Sequence, residues 1–209
     1  TEMPITAINM RMDVVLGHML GHKFSHTSIR RGDPIDEKEY EEFLLKSDKK
    51  SLLVCDRIAG QIGISIDAIN SLIRKHNPEF VVIDGVYLIS TGDAKKAIWE
   101  QSHALFYGLK NLATANNIPI MVTTQATREA SNLNSPPRAD QVAFGDALLR
   151  AADVAMAMYK SESDEDKRMV QFQKYRDGEF AREHTAMQWE VNSGNIEERP
   201  DYTDYGDEM

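Results

Sequence analysis

The chain begins with two segments whose apolar residues lie three or four positions apart, the spacing of one helix face. Residues 4–22 predict a first helix, with Pro4 in its first turn. Residues 36–46 predict a second helix, which is short and acidic. The side chains expected to face inward from this second helix are Tyr40, Phe43 and Leu44.

A brief apolar run and a capped helix follow these two segments. Residues 51–55 are mostly apolar and predict a short strand. Ser65 then precedes apolar residues that recur at helical spacing as far as His76. Because a serine hydroxyl can accept a bond from the first free backbone N–H groups of a helix, Ser65 is predicted to cap this one.

Two wholly apolar runs indicate the fold class. Phe80–Ile83 and Ile118–Val122 show no polar alternation, which is typical of strands buried on both faces of a sheet. A long helix is predicted between them, at about 94–116. Strand, helix and strand in succession predict parallel neighbours joined by a right-handed crossover. Val154–Tyr159 predicts a further strand.

The last third of the chain changes to alternating strands. Residues 168–175 and 184–191 alternate in polarity and are separated by a turn containing Gly178, which predicts an antiparallel hairpin at the sheet edge. The predicted fold class is therefore α/β, with a mostly parallel central sheet flanked by helices and a C-terminal antiparallel hairpin.

Composition predicts one globular domain and a tail. The 209 residues include 24 basic and 33 acidic side chains, a formal charge of −9. Residues 197–209 contain six acids and one base without helical or strand periodicity, so we expect a flexible acidic tail after a domain at 1–196. The body is less acidic, and the net charge alone does not exclude nucleic acid.

Several classes of protein are disfavoured by what the sequence lacks. Cys55 is the one cysteine, so no disulfide forms within the chain, which suits a cytoplasmic protein. No apolar run approaches the roughly 20 residues that span a bilayer, and no secretory signal pattern stands at the N-terminus. We therefore expect no membrane role.

Two polar residues stand where parallel strands end, and ligands of open parallel sheets bind there. Asp84 directly follows the first apolar run and could hold a hydrated magnesium ion, or only cap the next loop. Gln125 follows the second and could orient a water against a phosphoryl oxygen, or only bond its own loop.

Two further sets of side chains leave alternatives open. Lys174 and Arg176 lie on one face of the predicted hairpin, either as a solvated pair that discourages edge pairing or as cations presented to a neighbouring subunit. Three histidines have the spacing of one helix face, but without a carboxylate or cysteine at ligand spacing a solvated face is the better interpretation. They are His18, His22 and His26.

Several segments together resemble one family, in their order and spacing. They are Phe80–Asp84, Leu109–Ala113, Asn117–Gln125, Arg150–Tyr159 and Gln173–Gly178. From Thr1 to about Glu197 the sequence resembles the RecA-like C-terminal motor of the DnaB family of hexameric replicative DNA helicases, especially those of the phage T4 type. The resemblance implies ATP and Mg²⁺ as cofactors, single-stranded DNA as a partner, and a hexameric ring of identical subunits.

The resemblance also implies roles for individual residues. Asp84 is similar to the Walker B aspartate that holds magnesium, and Gln125 to the glutamine that senses the γ-phosphate and couples it to DNA. Lys174 and Arg176 resemble the basic pair given in trans to the neighbour's ATP, which reverses the preference for a solvated pair. Glu2 resembles the general base, although a solvated glutamate at a chain end is nearly as good an interpretation.

DNA contacts and the phosphate loop depend on the same resemblance. Segment 138–150 is similar to the family's central DNA loops, so Arg138 and Arg150 are candidate phosphate contacts, with Lys110 a weaker surface alternative. The family's Gly-rich phosphate loop precedes the position of Glu2, and this chain contains no Gly-x-x-x-x-Gly-Lys-Ser/Thr sequence. We therefore expect an upstream polypeptide to carry that Walker A segment, and the chain to be inactive by itself.

The functional prediction is a part of the ATP-dependent motor of a ring-shaped helicase that unwinds duplex DNA in the 5'-to-3' direction. A RecA or RadA-like recombinase, or a non-catalytic assembly or loader module of the same fold, are the alternatives. The acidic tail predicts either docking to primase or polymerase, or simple solubilisation.

Overall fold

The computed structural model describes residues 4–47, 52–55, 64–90, 98–127, 130, 135–142, 145–161, 164, 166–178 and 184–200. The chain forms two compact units, which we call the central and the terminal unit. The central unit is built mainly from Arg57–Tyr159 and Val170–His184. The terminal unit comprises Met3–Asp56, Lys160–Met169 and Thr185–Met209.

The terminal unit begins with three helices whose ends match local sequence signals. They are α1 (Ile5–Met19), α2 (His26–Arg31) and α3 (Glu37–Lys46). Pro4 is the N-cap of α1, so it directly precedes the first helical turn, within which it was predicted to lie. Ser25 caps α2 by accepting from the N–H of Ser28, and Asp36 caps α3 by accepting from the N–H of Glu39. Helix α2 was not predicted, because six residues are too few to show a period.

An aromatic cluster forms the core of this unit. Val14, Phe24 and Phe43 are buried, and the rings of Phe24 and Phe43 meet edge to face with centroids 5.1 Å apart. Tyr40 packs against the cluster, as predicted, but Leu44 is 44% exposed, so its predicted inward orientation is wrong. The apolar face of α3 is narrow and is centred on the buried Phe43. Leu44 therefore lies at the edge of this face, although it is only one helical turn from Tyr40.

Tyr40 also makes a polar contact in this core. The contact predicts that the stability of the fold decreases at alkaline pH. Its hydroxyl donates to Oδ2 of the buried Asp13 at 2.7 Å. Burial, followed by the hydrogen bond and charge of Asp13, raises the pKa of Tyr40 from 10.0 to about 12. Because the folded pKa is the higher one, the contribution to stability is complete below pH 10 and is lost as the pH rises towards 12.

We expect the free energy of unfolding to fall by about 1–2 kcal/mol more in the wild type than in Tyr40→Phe over this alkaline range. Urea unfolding at a series of pH values measures the difference. Tyr107→Phe is the matched control, because that tyrosine is 45% exposed and stacks on His103 rather than bonding a buried carboxylate. Equal losses in the wild type and Tyr40→Phe would contradict the prediction.

The central unit contains two short parallel strand pairs. Strand β1 (Ile64–Ser65) pairs with β3 (Ile89–Ser90), and β2 (Val81–Ile83) pairs with β4 (Ile120–Val122). Helix α4 (Ile66–His76) starts at Ser65, whose hydroxyl accepts from the N–H of Ala68 at 3.2 Å, so the predicted cap is confirmed. The predicted parallel strands and the crossover helix, α5 (Ile98–Asn116), are confirmed as well.

Helices α4 and α5 pack with a shorter helix, α6 (Gly145–Ala151), around one core. Its buried side chains are Ile69, Ile73, Val86, Ile89, Leu105, Phe106, Leu109, Leu112, Ala147 and Ala151. Val81, Ile83, Ile120 and Val122 pack against this core from β2 and β4. Val82 and Met121, which are register partners, are 57% and 43% exposed. The expectation of burial on both faces is therefore wrong for this chain alone.

The rest of the chain forms an antiparallel four-stranded sheet in the order β5-β6-β7-β8. Its strands are β5 (Val154–Lys160), β6 (Lys167–Tyr175), β7 (His184–Glu190) and β8 (Asn195–Arg199). The predicted strands of the late hairpin are thus confirmed, and the described residues place β5 beside β6 rather than in a pair with β2 or β4.

Two differences from the predicted elements remain. Residues 52–55 have no regular structure in place of the expected strand at 51–55. Strand β8 pairs with β7 through Arg199, opposite Ala186, so strand structure includes the first residues of the segment expected to be a tail. Residues 201–209 of that segment lie outside the described part of the chain.

Candidate nucleotide-binding site

The carboxyl ends of β2 and β4 bring Asp84 to Thr123. Ile83 and Val122 are register partners, so the residues that follow them lie side by side. The hydroxyl of Thr123 donates to Oδ1 of Asp84 at 2.8 Å and accepts from the N–H of Gly85 at 2.9 Å. The backbone turns away at Gly85, where φ is +82°, a value that glycine adopts without steric cost. An exposed carboxylate is thus held in a fixed orientation at the sheet edge.

Gln125 lies two residues beyond Thr123 at the same edge. Its Nε2 donates to the hydroxyl of Tyr87 at 2.9 Å. The two side chains line a cavity of about 300 Å³ together with Ala126, Thr127 and Val142. Sequence reasoning missed Tyr87, because it lies in a short 3-10 helix, Val86–Leu88, whose position next to β4 depends on the fold.

Asp84 is a suitable ligand for a magnesium ion, since its carboxylate is exposed and oriented. Among the described residues, no three histidine, cysteine, aspartate or glutamate side chains are grouped so that they could hold a metal ion. Mg²⁺ commonly takes only one or two protein carboxylates and fills its remaining positions with water and phosphate oxygens. A single oriented, exposed carboxylate therefore fits a magnesium ion that arrives with a nucleotide.

The loop of Gln125 is joined to the predicted DNA segment through the backbone. Ala126 and Val142 form an isolated antiparallel bridge, and the N–H of Thr127 donates to the carbonyl of Gln141 at 2.7 Å. The Gln125 loop is therefore in direct backbone contact with residues 141–142.

The two candidate DNA contacts lie on either side of this junction along the chain. Arg138 is 79% exposed in its side chain, and its Nε lies 3.2 Å from Oδ1 of Asp140. Its backbone N–H donates to Oε1 of Gln141 at 3.0 Å. Arg150 is exposed in the last turn of α6. Both arginines are therefore accessible to an anion.

The basic pair of the late hairpin contacts the segment between α6 and β5. The ammonium group of Lys174 donates to the carbonyls of Leu149 at 2.6 Å and Arg150 at 3.3 Å. The Nη1 atom of Arg176 lies 2.9 Å from Oδ1 of Asp153. Both cations thus contact the same short segment of their own chain.

Asp153 has a second cationic partner, which the sequence did not indicate. Lys110, on α5, donates to its Oδ2 atom. This bond is the largest cause that lowers the pKa of Asp153, with the charges of Lys110, Arg176 and Lys174 adding to it and burial opposing it. The carboxylate is therefore ionised at neutral pH. The ion pair with Asp153 gives Lys110 a structural role that requires no contact with DNA.

Two further candidates complete the survey of predicted residues. Glu2 lies outside the described part of the chain. Two of the three histidines have carboxylate neighbours: Nε2 of His18 lies 3.4 Å from Glu197, and Nδ1 of His22 lies 2.9 Å from Glu39. Burial, with the charges of Arg11 and Arg30, lowers the pKa of His26.

Comparison with known proteins decides the family. The sequence pattern of the DnaB-like helicase C-terminal domain matches residues 1–197, nearly the whole chain. The chain belongs to the family of DnaB-like helicase C-terminal domains. No sequence relative was found among curated proteins. No helix within the described residues is long and apolar enough to cross a membrane.

Two solved structures are similar to this chain in fold, and a third is less similar. A structure described as an ATPase domain matches 93% of this chain and 71% of its own, with a TM-score of 0.73 and 19% identity. A DnaB-like replicative helicase, described together with its interactions with primase, matches with a TM-score of 0.72 and 19% identity. A KaiC-like protein of Pyrococcus horikoshii OT3 has a TM-score of 0.47, 15% identity and coverage of 65% of this chain and 55% of its own.

The chain is shorter than the solved replicative helicase that it matches. The match to the solved replicative helicase covers 93% of this chain but only 49% of that helicase. The chain therefore spans about half the length of that helicase. The fold is RecA-like, with parallel strand pairs, flanking helices and a C-terminal antiparallel sheet.

Proposed function

We propose that this DnaB-like chain is the downstream part of the ATP-dependent motor of a ring-shaped replicative helicase that unwinds DNA in the 5'-to-3' direction. The observation that carries the proposal is the pairing of Asp84 with Thr123 at the carboxyl ends of two parallel strands, with Gln125 beside them. Family membership supplies the reaction class, and this geometry supplies groups that suit it.

Each group has a defined task in the proposed reaction. Asp84 would hold Mg²⁺, which neutralises charge on the transferred phosphoryl group when it is bound. Thr123 keeps the Asp84 carboxylate oriented by donating to one oxygen. Gln125, through its amide, would sense the terminal phosphate, and the Thr127–Gln141 hydrogen bond offers a path from there to the DNA segment. Glu2 is proposed as the general base.

Lys174 and Arg176 are proposed to act on the nucleotide of the neighbouring subunit in a hexamer. The side chain of Arg176 is 45% exposed, so a neighbouring subunit can reach it. Lys174 is partly buried. A guanidinium delivered from outside the site stabilises the charge that develops on the transferred group. This arrangement makes the ring, rather than one subunit, the catalytic unit.

An upstream polypeptide is proposed to complete the site. The solved ATPase domain has a further part that this chain does not match, since the match covers 71% of it. The chain also exposes Val82 and Met121 on the face of β2 and β4 that its own core does not cover. Apolar side chains on such a face are stabilised when another segment covers them. We propose that the upstream segment does so and supplies the phosphate loop.

Single-stranded DNA is the proposed substrate of the ring channel. Arg138 and Arg150 are accessible and would contribute sequence-independent phosphate contacts. The acidic segment at 197–209 is proposed to dock a replisome partner. Primase is the first candidate, because the similar replicative helicase is described with primase.

Joining this chain to its upstream segment tests the proposed function. We expect the joined protein to hydrolyse ATP at a rate on the order of 1–10 per second with single-stranded DNA and Mg²⁺, and to open forked DNA with a 5' tail. The chain alone, the matched control, is expected to show no DNA-stimulated turnover. Strand exchange without unwinding would favour a recombinase, and neither activity would favour an assembly module.

A further inference from the structure

The segment from Leu149 to Asp153 holds both cations of the hairpin by different bonds. Lys174 donates to the carbonyls of Leu149 and Arg150, in the last turn of α6. Such carbonyls carry partial negative charge, so an ammonium ion there is stabilised. Arg176 is bound twice to Asp153, by its side chain at 2.9 Å and by its backbone N–H, which donates to the carbonyl of Asp153 at 3.0 Å.

A second cation, Lys110, also holds the carboxylate of Asp153. Lys110 occupies Oδ2 of the carboxylate, so rotation about the side-chain bond would break that ion pair. Oδ1 remains directed at Nη1 of Arg176. The ion pair with Lys110 thus favours one orientation of the Asp153 carboxylate. The carboxylate in that orientation favours one orientation of the Arg176 guanidinium.

Arg176 keeps the capacity to bind an anion in this arrangement. A guanidinium carries five N–H donors in a rigid plane, and the contact with Asp153 is made through Nη1. The side chain is 45% exposed. An anchored arginine loses less conformational freedom on meeting a phosphate than a mobile one, and a small error in its direction weakens the contact.

We infer that Asp153 is a positioning residue that directs Arg176 towards the nucleotide of the neighbouring subunit. The inference rests on the proposed function, in which Arg176 acts in trans. Asp153 does not touch the nucleotide in this scheme. It acts through Arg176, while Lys110 holds the Asp153 carboxylate in place.

Asp153→Asn in the joined motor tests this role. The amide keeps the shape of the side chain but removes the charge that orients Arg176. We expect the kcat for ATP to fall between about 10- and 100-fold, with little change in KM, and Asp153→Glu to recover part of the loss. In an Arg176→Ala background, Asp153→Asn should cause no further loss, because the residue it acts through is gone.

Asp164→Asn is the matched control. Asp164 also accepts a hydrogen bond from a lysine, Lys167, but it belongs to the terminal unit, whereas Lys174 and Arg176 belong to the central unit. We expect wild-type turnover in this variant. If Asp153→Asn does not assemble into rings, Lys110→Gln serves instead, and it should lower kcat in the same direction; wild-type kcat there would overturn the inference.

The outcomes separate this inference from the proposed function. Wild-type turnover in Asp153→Asn, together with inactivity in Arg176→Ala, would overturn the positioning role and leave the motor assignment standing. Faster turnover in Asp153→Asn would show that Asp153 competes with phosphate for Arg176, which also overturns it. Full turnover in Arg176→Ala would instead contradict the trans-acting arginine of the proposed function.

Discussion

Asp84→Asn is expected to lower ATP turnover of the joined motor by on the order of a thousandfold or more, because a metal-bound carboxylate contributes several kcal/mol to stabilising transferred charge. Asparagine has the shape of aspartate, and its amide oxygen can still accept from the hydroxyl of Thr123. The local bond at the end of β4 therefore survives the change. What is lost is the negative charge that is proposed to bind Mg²⁺.

Steady-state ATP hydrolysis with single-stranded DNA over a range of Mg²⁺ concentrations measures this effect. Asp67→Asn is the matched control, since Asp67 is an exposed aspartate in the first turn of α4, in the same unit. We expect the control to hydrolyse ATP like the wild type. An Asp84→Asn motor with unchanged turnover and unchanged Mg²⁺ dependence would remove Asp84 from the proposed site.

The position of Asp84 is predictable from sequence because it depends on local signals. The apolar runs at 80–83 and 118–122 are short, and the amphipathic helix between them constrains the connection, so few topologies satisfy all three. The strands then place Asp84 and Gln125 at one edge, as the structure shows. Ser65 was predictable for a similar reason, since capping involves only four consecutive residues.

The partners of these residues are not predictable in the same way. Tyr87 reaches Gln125 across 38 positions of sequence, and Asp153 reaches Lys110 across 43. Such pairs follow from register and packing, which no periodicity reports. The exposure of Val82 and Met121 is also invisible to pattern reasoning, because an apolar run predicts that a face is buried without stating which polypeptide covers it.

The strand expected at 51–55 is an element that the sequence predicts and that residues 52–55 do not form. Leu52 and Leu53 are apolar, yet they are 48% and 57% exposed and the segment has no regular structure. Strand propensity expresses packing against neighbouring strands more than a preference of the backbone. A run of four or five apolar residues without a partner strand therefore does not form a strand, however favourable its composition.

Arg176→Ala has the second large expected effect, and it also tests where the arginine acts. An arginine finger contributes about a thousandfold or more to turnover, so this variant should be nearly inactive in the joined motor. Lys174→Ala is expected to lose less, because Lys174 is partly engaged by the carbonyls of Leu149 and Arg150. ATP hydrolysis of uniform rings measures both losses, and near-normal turnover in Arg176→Ala would contradict the assignment.

Mixed rings distinguish action within a subunit from action on its neighbour. Subunits with Arg176→Ala retain Asp84, and subunits with Asp84→Asn retain Arg176. If Arg176 acts in trans, an interface with Asp84 from the first kind and Arg176 from the second is complete, so random mixing should restore about one quarter of the wild-type turnover. If Arg176 acts within its own subunit, every site lacks one group and the mixture stays inactive. Recovery on mixing two inactive proteins therefore requires a site shared between subunits.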